Sequence, residues 1–269
     1  MVMKVAKRSG HDLGESASYS DVPTRHFAAQ IPSLGIQRNW VTLTIYMRAN
    51  QIFIGCLLAI FAIGCGGSLT NHGIAQLRAI SAVTNPSAID VFTDFNIVAT
   101  NLHVGEGSQY SNQTASDLAV GVRQFGDNQT IVAGNISLGV GDKATLVPYQ
   151  TGAATVGLMG FLDDATTPDV GKFKLRVIHA DRFIGLVDVY FAAPGADLSL
   201  ATPIITNLNF EEGAGYIELN AGIPSEITVT QAGTLNVIGT PLQLTPPSQA
   251  VRTLILMENG GPVLNIYND

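Results

Sequence analysis

Leu175-Arg176-Val177-Ile178-His179-Ala180, followed by Val187-Asp188-Val189-Tyr190, decides the fold, because the chain carries this pattern twice. At an offset of 98 it stands as Leu77-Arg78-Ala79-Ile80-Ser81-Ala82 and Ile89-Asp90-Val91-Phe92. Further on the offset is 106: Asn101-Leu102 with Asn207-Leu208, Glu106-Gly107 with Glu212-Gly213, Tyr110 with Tyr216. The eight extra residues fall around Ala193-Pro194-Gly195-Ala196-Asp197, where Gly and Pro mark a surface loop that tolerates insertion. Both copies close alike, on Phe161-Leu162-Asp163-Asp164 and on Ile266-Tyr267-Asn268-Asp269. A fixed internal period of this kind means a duplicated structural unit.

Each copy has about the length of an immunoglobulin-like sandwich, ~100 residues. Short runs rich in β-branched residues recur between Gly, Pro, Asn and Asp clusters. In the second copy they predict strands over 173–179, 186–192, 215–219, 226–231, 235–244, 251–257 and 262–267. Val187, Val189 and Phe191 alternate with Asp188 and Tyr190, so the first three face the core and the other two face outward. After residue 75 no amphipathic helix pattern survives. The expected class is all-β: two tandem immunoglobulin-like β-sandwiches, 75–164 and 173–269, joined by a linker at 165–172 and each a separate sandwich. Arg78 and Asp90 stand 12 apart, as do Arg176 and Asp188. If the first two strands of each copy form a hairpin, those charges pair across it and point away from the core.

At these residues the chain resembles a bacterial family of unknown function, family 4397. Leu175–Ala180, Val187–Tyr190 and the bridge Leu162-Asp163-Asp164, Pro168, Gly171-Lys172 carry the resemblance. In the first copy Ser81 stands where the second has His179. The resemblance implies exported, often lipid-anchored tandem β-sandwiches and no activity.

Upstream, Met47-Arg48 opens a basic start, 52–64 is an uncharged apolar run of 13 residues, and Cys65-Gly66-Gly67-Ser68 follows. A membrane-spanning helix needs about 20 residues; the apolar region of a signal peptide needs roughly 7–15. A cleaved signal helix over 47–64 is therefore expected, with 65–74 as a tether. Ala62-Ile63-Gly64-Cys65 resembles the lipobox of bacterial lipoproteins, which implies cleavage between Gly64 and Cys65 and a lipid on the Cys65 thiol. Gly66, where inner-membrane sorting would place Asp, implies the outer membrane. Translation is expected to start at Met47, with 1–46 an over-extended reading or a disordered extension.

The formal charge is −7, but residues 65–269 hold 8 Lys and Arg against 18 Asp and Glu, which leaves −10. With no basic stripe to offset it, such a surface repels nucleic acid. The only cysteines, Cys56 and Cys65, lie in the signal and at the lipid site, so no disulfide supports the sandwiches and their cores must hold them.

Other motifs point to no chemistry. Gly139-Val140-Gly141-Asp142-Lys143 lacks the Lys-Ser/Thr pair and following helix of a phosphate loop. The sequons at Asn112, Asn128 and Asn135 read as polar turns. His103 and His179 have Asn209 and Ser81 as counterparts, which are not matching ligands. Asp163, Asp164 and Asp169 lack the spacing of a calcium loop. No catalytic residues, metal or cofactor are expected. The reading is an envelope lipoprotein that binds a protein or glycan, with Tyr190 and Tyr216 as the outer-face aromatics. The alternative is a structural spacer without a ligand.

Overall fold

Val, Ile, Leu and Thr dominate the runs that pleat, and Gly, Pro, Asn and Asp separate them. The computed structural model describes residues 73–94, 96–164 and 166–269. The expected extension, signal helix and most of the tether lie outside the described residues. The first half supplies β1 (Ile74–Ala79), β2 (Ala88–Thr93), β3 (Ile97–His103), β4 (Ser111–Thr114), β5 (Asp117–Gln124), β6 (Thr130–Ser137), β7 (Lys143–Gln150) and β8 (Val156–Leu162). The second supplies β9 (Lys172–His179), β10 (Val187–Ala192), β11 (Ile205–Leu208), β12 (Glu212–Gly213), β13 (Ile217–Asn220), β14 (Ser225–Gln231), β15 (Val237–Leu244), β16 (Val251–Glu258) and β17 (Pro262–Asn268). One 3₁₀ turn, Leu198–Leu200, sits in the insertion loop, where the Asp197 carboxylate accepts from the Ser199 N–H at 2.9 Å.

The fold is all-β, in four sheets. The first half pairs β4-β1-β7-β8 and β3-β2-β5-β6; the second pairs β12-β9-β16-β17, with β13 also on β9, and β11-β10-β14-β15. In both halves the first strand runs parallel to a late one, β1 with β7 and β9 with β16.

The hairpin expectation fails here. β1 and β2 lie in different sheets, and so do β9 and β10. Arg78 therefore never meets Asp90, nor Arg176 Asp188. Instead each Asp serves its own sheet. Asp90 Oδ1 accepts from the N–H of Asn101 at 3.0 Å, and Asp188 Oδ1 from the N–H of Asn207 at 2.8 Å. Both asparagines are left-handed, φ 53° and 54°, where the β2/β3 and β10/β11 registers slip. Asn tolerates that conformation better than most residues, and the carboxylate satisfies the amide the bulge frees.

Three cores result. Leu77 and Ala79 of β1 pack with Ile89, Val91, Leu118, Val122 and Leu146 inside the first half. Phe173, Leu175 and Val177 of β9 pack with Val187, Val189, Ile227, Leu254 and Leu256 inside the second, with Phe191 against them, as the alternation required. The third core lies between the halves: Ile80, Val147, Tyr149 and Met159 meet Ile178, Ile255 and Met257. So β1, β7, β9 and β16 are buried on both faces, and the charged residues that alternate with apolar ones in β1 and β9, such as Arg78 and Arg176, are buried too. This corrects the expectation of two separate sandwiches. Asp163 and Lys172 bound the linker, but the described residues belong to one compact unit.

Candidate functional site

Side chains one residue out of phase with the inner cores project from β1 and β9 into the seam between the halves. Arg78 and Arg176 stand there, and their partners are exchanged. Arg176 Nη2 donates to Asp163 Oδ1 at 2.6 Å, and Arg176 Nη1 to the Leu162 carbonyl at 3.2 Å, both from the first half. Arg78 donates to the Asp269 carboxylate and the Asn268 carbonyl, both from the second. Each carboxylate is completed from its own half. Tyr110 and Thr145 hydroxyls donate to Asp163 at 2.7 and 2.8 Å; Tyr216 and Thr253 hydroxyls donate to Asp269 at 2.6 and 2.7 Å. Each guanidinium also lies over its own half's tyrosine, at 4.8 Å for Tyr110 and 4.7 Å for Tyr216.

The contacts are reciprocal, like those of a two-fold dimer. Glycines allow the same exchange among aromatics: a Cβ on Gly213 would lie 2.5 Å from Phe161, and one on Gly107 3.2 Å from Tyr267. Burial, against the opposing pull of Arg176 and Arg78, pushes the Tyr216 and Tyr110 hydroxyls well above the usual tyrosine range, so both remain donors. Both ion pairs are almost wholly enclosed and their hydrogen bonds satisfied, with the carboxylates and guanidinia 2–4% exposed. This arrangement joins the halves and offers no acid, base or nucleophile to a substrate.

This placement corrects one expected site. Tyr216 is half-buried in the seam, its hydroxyl on Asp269 and its ring under Arg176. Tyr190 does keep the face away from the core, but it is only 6% exposed, and its neighbour across the ladder, Thr228, is 3% exposed. Neither is an open aromatic surface. Gly64 and Cys65 lie outside the described residues. His179 is fully buried: its Nδ1 accepts from the Asp181 N–H at 3.3 Å, leaving Nε2–H to donate to the Gly185 carbonyl at 3.0 Å. Ser81 takes the first of these roles in the other half, accepting from the Val83 N–H. Burial lowers the His179 pKa. Among the described residues no group of three or more His, Cys, Asp or Glu is placed to hold a metal ion.

The open site is elsewhere, at the end of the second half. A cleft of about 670 Å³ is lined by Phe183, Ile184, Gly185, Leu186, Asn207, Gln231, Ala232, Asn236, Val237 and Ile238. The loop after β9 supplies Phe183, and the β14–β15 turn supplies Asn236. Phe183 is 63% exposed and Leu186 and Val237 nearly half. Arg182, outside the lining, stacks its guanidinium 4.1 Å from the Phe183 ring centroid and reaches Glu258 at 3.6 Å. Periodicity did not reveal this site because Phe183 stands in a loop; the signal available was a bulky aromatic in Asp181–Gly185 where the first copy has Asn85.

Residues 75–190 match the family described as Domain of unknown function (DUF4397), a span that runs from β1 through β9 and ends within β10. No curated protein matches. Among solved structures, CBMbc (family CBM26) from Eubacterium rectale Amy13K, in complex with maltoheptaose, is 11% identical. The match covers 72% of this chain and 97% of that one, at a TM-score of 0.26. A likeness at that score carries no argument about fold or ligand.

Proposed function

We propose that the chain is a lipid-anchored protein of a bacterial cell envelope, held in the outer membrane through Cys65. Its two tandem immunoglobulin-like sandwiches, products of duplication and joined into one body, bind a protein or glycan at the second half. The open cleft around Phe183 carries the binding reading, because exposed Phe183, Leu186 and Val237 gather there beside free amides. Exposed apolar residues grouped at a concave surface mark interaction sites. The anchoring reading rests on the 13-residue apolar run and the lipobox-like Ala62–Cys65 segment. A second reading, a spacer without a ligand, draws on the seam, since the Arg, Tyr, Thr and Asp kept in both copies all serve it. Crosslinking and recovery of the anchored protein from its own envelope separates the two. A reproducible partner supports binding; its absence, with the protein intact and membrane-bound, supports the spacer.

A further inference from the structure

We propose that the Phe183 cleft takes a short neutral glycan, with Phe183 as the platform for one sugar ring, and that only the second half carries this site. The inference rests on the binding reading above and names its ligand. The lining contains no ionisable side chain, although residues 65–269 carry a net −10. The one cation beside it, Arg182, is stacked on Phe183 and faces Glu258, so no side chain of the lining offers a charged ligand a counter-charge, and an anionic one would be repelled by the surrounding surface. The side-chain amides of Asn207, Gln231 and Asn236 have no hydrogen-bond partner among the described residues, so donors and acceptors stand free beside an apolar floor. That combination matches a pyranose: a C–H face for the aromatic ring and vicinal hydroxyls for amide groups, which both donate and accept. Arg182 lies against the Phe183 ring and faces Glu258 at 3.6 Å, so the platform already has one neighbour of its own before any ligand arrives. An added peptide strand fits less well. It needs the free edge of β15, and at Gly239 the Pro262 carbonyl oxygen lies 2.6 Å from where a Cβ would sit, so the start of β17 crowds that strand.

The first half has lost the equivalent surface. Its ladder places Gln124 where the second half has Gln231 and Thr130 where it has Val237. The 98-residue offset puts Asn85 at the platform position. Asn85 is spent on a neighbouring loop: its side-chain amide nitrogen donates to the Ala153 carbonyl in the β7–β8 turn at 3.0 Å.

The test is an array of neutral hexose oligosaccharides, sialylated and sulfated glycans and unrelated peptides, probed with the full chain. Calorimetric titration with the best neutral oligosaccharide follows. The expected result is preference for a neutral glycan, one site per chain, and at least tenfold weaker binding in Phe183→Ala and several-fold weaker in Gln231→Ala. Gln124→Ala, its counterpart in the first half, should bind as the unaltered chain does. Unfolding midpoints of the variants show that they are folded. Preference for acidic glycans or peptides, two sites per chain, unchanged binding by Phe183→Ala, or no binding on the array overturns the proposal. An envelope protein that still crosslinks to Phe183→Ala also overturns it, while leaving the broader binding reading standing.

Discussion

Replacing Asp163 by Ala would strip the Arg176 guanidinium of its charge partner in a seam where the two side chains are 3% and 2% exposed. The Tyr110 and Thr145 hydroxyls would lose their acceptor as well. Removing one member of a buried pair costs about 3–5 kcal/mol, because the charge left behind stays desolvated. For a folded unit of roughly 200 residues, where 1 kcal/mol moves the midpoint by about 2–4 °C, that is a drop of about 6–20 °C. Arg176→Met should cost a similar amount. Arg176→Met combined with Asp163→Leu should recover most of the loss, since a well-packed apolar pair often matches a buried ion pair. Urea unfolding followed by far-UV circular dichroism of the unaltered chain, Asp163→Leu alone, Arg176→Met alone and the double variant gives all four corners of the cycle. The coupling should reach the upper part of the usual range of about 0.5–3 kcal/mol. Single-variant losses below about 1 kcal/mol, the value of an exposed pair, or strictly additive losses, would refute the claim that this exchange joins the halves.

Other outcomes follow from the same geometry. Because burial holds the His179 pKa below 6.5, the unfolded chain binds the proton first as pH falls. Stability should therefore decline below about pH 6.5, until the folded pKa is reached, and His179→Ser should show a flatter urea midpoint over that window. The Lys174 hydrogen bond, with those of Thr166, pulls the Asp164 pKa down to about 2. Its contribution is complete above the unfolded value of about 3.9 and disappears as pH falls through about 2, so Lys174→Met should reduce acid sensitivity in that range. Limited proteolysis within 165–172 should not yield two halves that separate under native conditions, because the third core and both exchanged pairs remain. Cys65→Ser should leave the protein unlipidated and unprocessed in cell fractionation; correctly cleaved, membrane-bound Cys65→Ser would contradict the anchoring proposal.

Much of the strand layout could be read from residue type alone. The expected runs 173–179, 226–231 and 251–257 fall on β9, β14 and β16, because Val, Ile and Thr runs bounded by Gly and Pro leave little choice. Ile205–Leu208 escaped notice, being four residues long with two of them exposed. The 12-residue Arg–Asp spacing misled because spacing cannot tell a hairpin from a crossing between sheets. The better clue was the adjacent Val177-Ile178 pair beside Arg176, which puts apolar side chains on both faces: a strand covered on both faces puts its arginine in an interface. Alternation put Tyr190 on the side opposite Val189 and so outward, but alternation does not show what covers that side, and Tyr190 is only 6% exposed. Phe183 and the amides around it come from loops and strand ends far apart in sequence, where no period links them.

The most direct measurement of the proposed role places a photo-crosslinking phenylalanine derivative, which keeps the aromatic ring, at Phe183, and in a second strain at Asn85, in the full chain within its native envelope. The account predicts a crosslinked glycan species from position 183 and none from position 85. Equal crosslinking at both positions, or a species at 85 alone, would contradict it.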